Sequence, residues 1–193
     1  MHNEITEEEL LLLPTQQLLQ LFKTLEAPEV KEMQGEYAAR LLAQPSWLAD
    51  LVGKITLNNP FQSWLCKAFR PVDEATGRGY NTFLQRGSIV QQFAMATMIA
   101  PSRYDGRPVY QLVYRHFHSL CGSIHMVDEV RRVTPDLYLG IGTYGFTDAQ
   151  RRIPYPFLLK GPQAPYRGDI GRVRKGFVIG PREIPSLTMK RRK

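Results

Sequence analysis

Apolar and polar positions alternate along residues 88–146, and turn signals cut that stretch into four runs. Ile89, Gln91, Phe93, Met95, Thr97 and Ile99 share one parity, with the small residues Ala94 and Ala96 on the other. Alternation of period two predicts a half-buried strand. Tyr104-Asp-Gly-Arg107 supplies the positive φ angles of a tight hairpin turn. The return strand is predicted over 109–118, a third over 123–133 after Leu120-Cys-Gly122, and a fourth over 137–146 after Thr134-Pro-Asp136. Such a meander coils into a curved sheet or barrel, and a barrel concentrates chemistry in its interior.

The first third of the chain follows a different period. Thr6 and Glu9 have capping-box spacing ahead of Leu10 to Leu13. Pro14 interrupts, Thr15 is placed to cap a second helix, and Leu18, Leu19, Leu21, Phe22 and Leu25 form its apolar stripe. Residues 36–42 read as a first strand, and Ser46 caps a short amphipathic helix from Trp47 to Val52. Residues 64–69 are apolar with Lys67 embedded among them, and 73–79 read as a polar loop. Pro and Gly dominate from Arg151 onward, with one further strand over 176–179 to close the barrel. The expectation is a β-rich α+β fold, a calycin/lipocalin-like antiparallel β-barrel with N-terminal helices. It divides into a helical segment 1–34, a barrel domain 35–180 and a basic tail 181–193.

Composition adds where the charge lies. The 193-residue chain carries +7. Twelve Lys and Arg from residue 151 onward face only Asp169 and Glu183, so that segment carries +10 and residues 1–150 carry −3. The basic end, finishing in Lys190-Arg-Arg-Lys193, reads as a solvated tail, with weak contact to anionic surfaces, membrane or nucleic acid, as the alternative. No apolar run is long enough to span a bilayer. The acidic start, Glu4 with Glu7 to Glu9, is unlike a signal peptide, and Cys66 and Cys121 read as free thiols. A cytoplasmic protein is the expectation.

Three blocks resemble the GXWXG protein family. Leu25 to Tyr37, with Met33-Gln-Gly-Glu-Tyr37, is similar to its opening helix and first strand. Trp64-Leu-Cys-Lys-Ala-Phe69 is similar to its next block, and Asp128-Glu-Val-Arg131 with Val133, Leu139 and Gly140 to a later one. Tyr37 stands for the tryptophan, Ala39 for the second glycine and Cys66 for the glycine before Lys67. The resemblance implies a lipocalin-like ligand-binding barrel and no particular activity.

The residues themselves offer two polar clusters. A turn at Leu120-Cys121 pairs His116 with His125 across a hairpin, with His118 on the same face as His116. Such histidines transfer protons, bind ligand, or ligate zinc or iron, but no carboxylate follows at cupin-like spacing. A one-residue slip would separate them. Further along the strand that carries His125, Asp128 shares a face with Arg132, and Glu129 with Arg131. One pair faces the interior; only a bulge would bring Asp128 and Arg131 to one site. Phe93, Met95, Tyr110, Tyr114, Tyr138 and Tyr144 are positioned to line an apolar pocket, and Gly140 and Gly142 leave space on the fourth strand. Trp47 and Trp64 are assigned to plug one barrel end under the N-terminal helices.

No P-loop, dinucleotide fingerprint, Gly-x-Ser-x-Gly or paired-cysteine motif occurs, so neither cofactor nor metal is expected. The leading expectation is binding of a small hydrophobic or amphipathic molecule. Arg131 or Arg132 would hold its head group, with Phe93, Met95, Tyr114, Tyr138, Gly140 and Gly142 around its body. The alternative is an isomerase or cyclase of a lipid, terpenoid or polyketide, with His116, His125, Asp128 and Tyr144 as acid or base. A third is an interaction protein that docks through its basic tail.

Overall fold

The structure is a computed structural model and describes residues 5–187. Lys190 to Lys193 therefore lie outside the described residues. Eight antiparallel strands close into one barrel: β1 (Gly35–Leu41), β3 (Gln62–Pro71), β4 (Thr76–Gln85), β5 (Ser88–Pro101), β6 (Pro108–Val113), β7 (Val127–Thr134), β8 (Leu137–Thr143) and β9 (Tyr155–Ala164). β2 (Asn58–Asn59) is a two-residue annex paired to β3. Each strand pairs with its neighbour in sequence. β1 closes the ring by pairing with both β3 and β9, which leaves the barrel proper no free edge. This is the calycin/lipocalin-like β-rich fold.

The helices lie against the side of the barrel rather than over an end. In α1 (Glu7–Leu12) the Thr6–Glu9 capping box forms as expected. In α2 (Thr15–Thr24) the cap position falls on Pro14, and the Thr15 hydroxyl donates instead to the Ala43 carbonyl at 2.6 Å. Leu10, Leu18 and Phe22 pack on Val109, Leu137, Leu139, Ile141 and Leu158 of the outer wall. β8 is therefore buried on both faces, and all seven of its residues are inaccessible. The third helix, α3 (Trp47–Leu57), is longer than expected and sits at the barrel mouth. Trp47 on it is 78% exposed, while Trp64 is inside the barrel, so the two tryptophans form no common plug.

Two bulges set the inner face. β4 pairs Gly79 with Met95 but Asn81 with Gln92, so β5 carries an extra residue there. Phe93 takes φ of 54° at this bulge. Phe93, Met95 and Thr97 consequently point inward, while Gln91 and Ile89, of the same parity, point outward. A second bulge at Leu65 of β3 places Trp64, Lys67 and Phe69 together on the inner face.

The barrel is filled at one end. Tyr37 meets Phe69 and Tyr138, and Phe69 meets Tyr110, all with ring centroids 5.6 Å apart. Val30 and Met33, on and just after the 3-10 turn Val30–Glu32, close this end. Three sequence expectations fail. Residues 176–179 form no strand; the closing strand is β9, disguised by Pro156 and Pro162. Pro156 is second in β9 and Pro162 lies beyond its pairing with β8, positions that tolerate a missing donor. β4 begins inside the stretch read as a polar loop. β6 ends at Val113, and residues 114–126 form a 3-10 turn (Tyr114–His116) and the short α4 (Leu120–Ser123) instead of a hairpin.

Candidate functional site

The unfilled end holds a cavity of about 120 Å³. Its floor is polar and its walls are aromatic. Lys67 from β3 is buried there and forms an ion pair with Asp128 from β7, Nζ to Oδ2 2.8 Å, each side chain only 4% exposed. Lys67 also donates to Asn81 Oδ1 on β4 at 3.0 Å and to the Tyr114 hydroxyl at 2.5 Å. Its ammonium thus has three polar partners, two by hydrogen bond and one by charge. Tyr114 donates in turn to Asp128 Oδ2 at 2.9 Å. Trp64 Nε1 donates to Asn81 Oδ1 at 3.1 Å, which fixes the amide with its nitrogen toward Tyr114. The rings of Trp64, Tyr114 and Phe157 have their centroids 5.0–5.3 Å from the ammonium, in cation–π range.

A buried charge persists only when its partners are complete, and here they are. Two features remain open. Asp128 Oδ1 accepts no hydrogen bond from any described residue. Gly142, opposite Asp128 in the β7–β8 ladder, has no side chain to cover it; a Cβ there would lie 3.1 Å from Oδ1. The carboxylate thus offers the cavity one unused acceptor. Burial, reinforced by the Asp128 charge, holds the Tyr114 hydroxyl well above the usual phenol range, so it stays protonated. Burial likewise pushes the Cys121 thiol on the cavity wall up to about 12, which leaves it unreactive at neutral pH.

Of the residues singled out in sequence, Asp128, Tyr114, Phe93 and Gly142 line this cavity. Tyr144 does not, but it stacks on Tyr155, which does, at 4.7 Å. Met95 and Tyr138 belong to the filled half, where Tyr138 donates to the Pro135 carbonyl. Gly140 makes room for a ring of the protein itself: a Cβ there would fall 2.2 Å from Phe157.

The remaining placements are corrections. Arg131 points outward and is fully buried beneath α2. Its guanidinium grips Asp105 at 2.7 and 2.9 Å, donates to the Phe22 carbonyl and stacks over the Phe22 ring. It anchors a helix and does not reach the interior, because β7 is regular between Asp128 and Arg132. Arg132 faces inward by parity, but at the filled end, where it pairs with Glu32. His116 and His125 do not meet. His116 packs outside the barrel between Phe117 and Phe177. His125, at φ of 55°, lies near Arg115 and 3.8 Å from Glu183. No group of three potential metal ligands exists among the described residues.

Lys67 and Asn81 were the residues not singled out. The signal for Lys67 was present as one cation inside an apolar run. Asn81 had none, since its strand was hidden by the Gly77-Arg-Gly79 stretch.

Comparison with known proteins gives little. No protein-family model matches the chain, and no curated protein matches it. A crystal structure of a protein from Thermomonospora curvata aligns at a TM-score of 0.46 and 16% identity, over 77% of this chain and 87% of that one. The fold is compatible with ligand binding. No described helix is long and apolar enough to cross a membrane.

Proposed function

We propose that the open half of the barrel binds a small, largely apolar molecule through a hydroxyl or other hydrogen-bond donor accepted by Asp128. The observation that carries this reading is the free Asp128 Oδ1 beside Gly142, at the floor of a cavity walled by aromatic rings. The head group is not held by an arginine, because both candidates are engaged elsewhere. A dry cavity of about 150 Å³ holds benzene, so a space of about 120 Å³ suits one ring or an isoprenyl head. A longer ligand would extend past Tyr155 and α3 at the mouth. The blocks similar to the GXWXG family contribute Trp64, Lys67 and Asp128 to this one site, which supports reading the chain as a remote relative.

A second reading, an isomerase or cyclase, is favoured by one further observation. A carboxylate and a protonated phenol stand 2.9 Å apart on one cavity wall. Asp128 would take a proton from one position of the substrate and Tyr114 would deliver one to another; the proton on Asp128 would then pass to the Tyr114 oxygen across their 2.9 Å contact and reset both, with Lys67 holding the carboxylate in place.

Calorimetric titration with phenol and with toluene tests the binding reading. Phenol should bind the wild-type chain more tightly than toluene by about tenfold, the ratio expected for one hydrogen bond to a charged acceptor. Gly142→Ala, which covers Oδ1, should erase that preference. Equal affinities in the wild type, or a preference unchanged by Gly142→Ala, would refute it.

A further inference from the structure

The cavity mouth is ringed by apolar side chains that the fold leaves in solvent. On α3, Trp47, Leu48, Leu51, Val52 and Ile55 are all exposed. Their spacing places them on one stripe, the face an amphipathic helix normally turns to the core. Here the other side of α3 meets the barrel: Gly53 lies against Leu41, and Leu57 packs with the mouth residues. In an up-and-down barrel, successive connections alternate between the two ends. The connections β1–β3, β4–β5, β6–β7 and β8–β9 therefore share the mouth end. Besides α3 they expose Phe61, Leu120 and Phe146, each about 70% accessible.

Charge follows the same division. The four mouth connections carry Lys54, Arg86, Arg115 and Arg152 outside the core against Asp50 and Asp148, a net of +2; Arg151 is buried and takes no part. The three connections at the filled end carry Asp73, Glu74, Asp105 and Asp136 against Arg107, a net of −3, with Arg103 buried. The C-terminal strap adds exposed Arg172 and Lys175 at the mouth, held there by pairing of residues 172–174 with 116–118.

We propose that the mouth end docks on an anionic phospholipid surface. The α3 stripe with Phe61, Leu120 and Phe146 enters the interface, and the surrounding cations meet the head groups. Aliphatic and aromatic side chains on one face, edged by Lys and Arg, are the chemistry of an interfacial membrane contact. A second copy of the chain fits less well, because a two-fold contact would set one basic rim against another. A nucleic acid would engage cations and rings but leave Leu51, Val52 and Ile55 without a partner. Docking through this face does not require the cavity to hold a ligand.

Co-sedimentation of the full chain with phosphatidylcholine vesicles, with and without 30% phosphatidylglycerol, decides it. Binding should appear with the anionic vesicles, fall at least tenfold without them, and weaken with salt. Leu51→Glu/Ile55→Glu should reduce it at least tenfold with an unchanged melting temperature. Leu120→Glu/Phe146→Glu, on two other connections, should do the same. Replacing Lys190, Arg191, Arg192 and Lys193 by serine should leave most of it. Absence of vesicle binding overturns the proposal. So does binding lost with the serine tail but indifferent to the glutamate variants. A dimer dispersed by Leu51→Glu/Ile55→Glu, in a chain that ignores vesicles, would assign the face to self-association instead.

Discussion

Asp128→Asn tests whether the centre of the barrel is the low-dielectric environment that its burial implies. The change keeps shape and removes one charge, so the Lys67 ammonium loses its counter-ion while remaining 4% exposed. Removing one partner of a buried pair costs about 3–5 kcal/mol, because the other charge is left uncompensated. Asn81 and Tyr114 still accept from Lys67, and three rings still face it, so the lower end of that range applies. About 3 kcal/mol lowers the melting temperature of a chain of this size by roughly 6–12 °C. The double variant Lys67→Met/Asp128→Asn removes the stranded charge, and about 2 kcal/mol or more of the loss should return. Urea denaturation of wild type, both single variants and the double closes the cycle, with unchanged m values licensing the comparison. A single-variant loss below about 1 kcal/mol, with additive effects in the double, would refute the reasoning. It would mean that water reaches both ions and that the pair resembles an exposed one.

Two further outcomes follow from where the structure puts residues that looked functional. Arg131→Lys replaces a fork that grips Asp105 and three backbone carbonyls by a single ammonium, so it should cost about 2–4 kcal/mol. Phenol affinity of the folded protein should be unchanged; weakened binding at full stability would show that Arg131 reaches the cavity after all. His125 is held below its ordinary value by burial and then by Arg115 and Arg182, with Glu183 opposing. The unfolded chain therefore takes up a proton near pH 6.5 that the folded chain resists, so this contribution is fully present above pH 6.5. It is lost as pH falls through the folded value. The melting temperature should drop between pH 7 and 5, and His125→Gln should flatten that drop; an equal drop in the variant would assign it to other groups.

The strands of the meander were legible because alternation survives wherever a strand has one wet face or one small-residue face. The failures have separate causes. β9 carries two prolines at positions whose missing donors cost nothing in the folded ladder, yet each reads as a break. The 109–118 run looks continuous, but Tyr114 leaves the strand to bring its hydroxyl between Lys67 and Asp128. The parity error at Ile89 and Gln91 came from a bulge that no periodic pattern announces.

By itself the sequence determined a β-rich barrel with helices ahead of it, the first of them capped as its residues require. It also determined that Asp128 and Arg131 face opposite ways, because the two-residue period of a regular strand permits nothing else. Only the tertiary structure decided which way was in. It placed Asp128 inside and Arg131 under α2, because α1 and α2 cover the outer wall and supply an apolar and carbonyl lining there. It also joined Lys67, Asn81, Tyr114 and Asp128, which lie as many as 61 residues apart. Their meeting depends on ring closure and on bulges in β3 and β5, features set by how strands pair across the barrel rather than by any local run of residues.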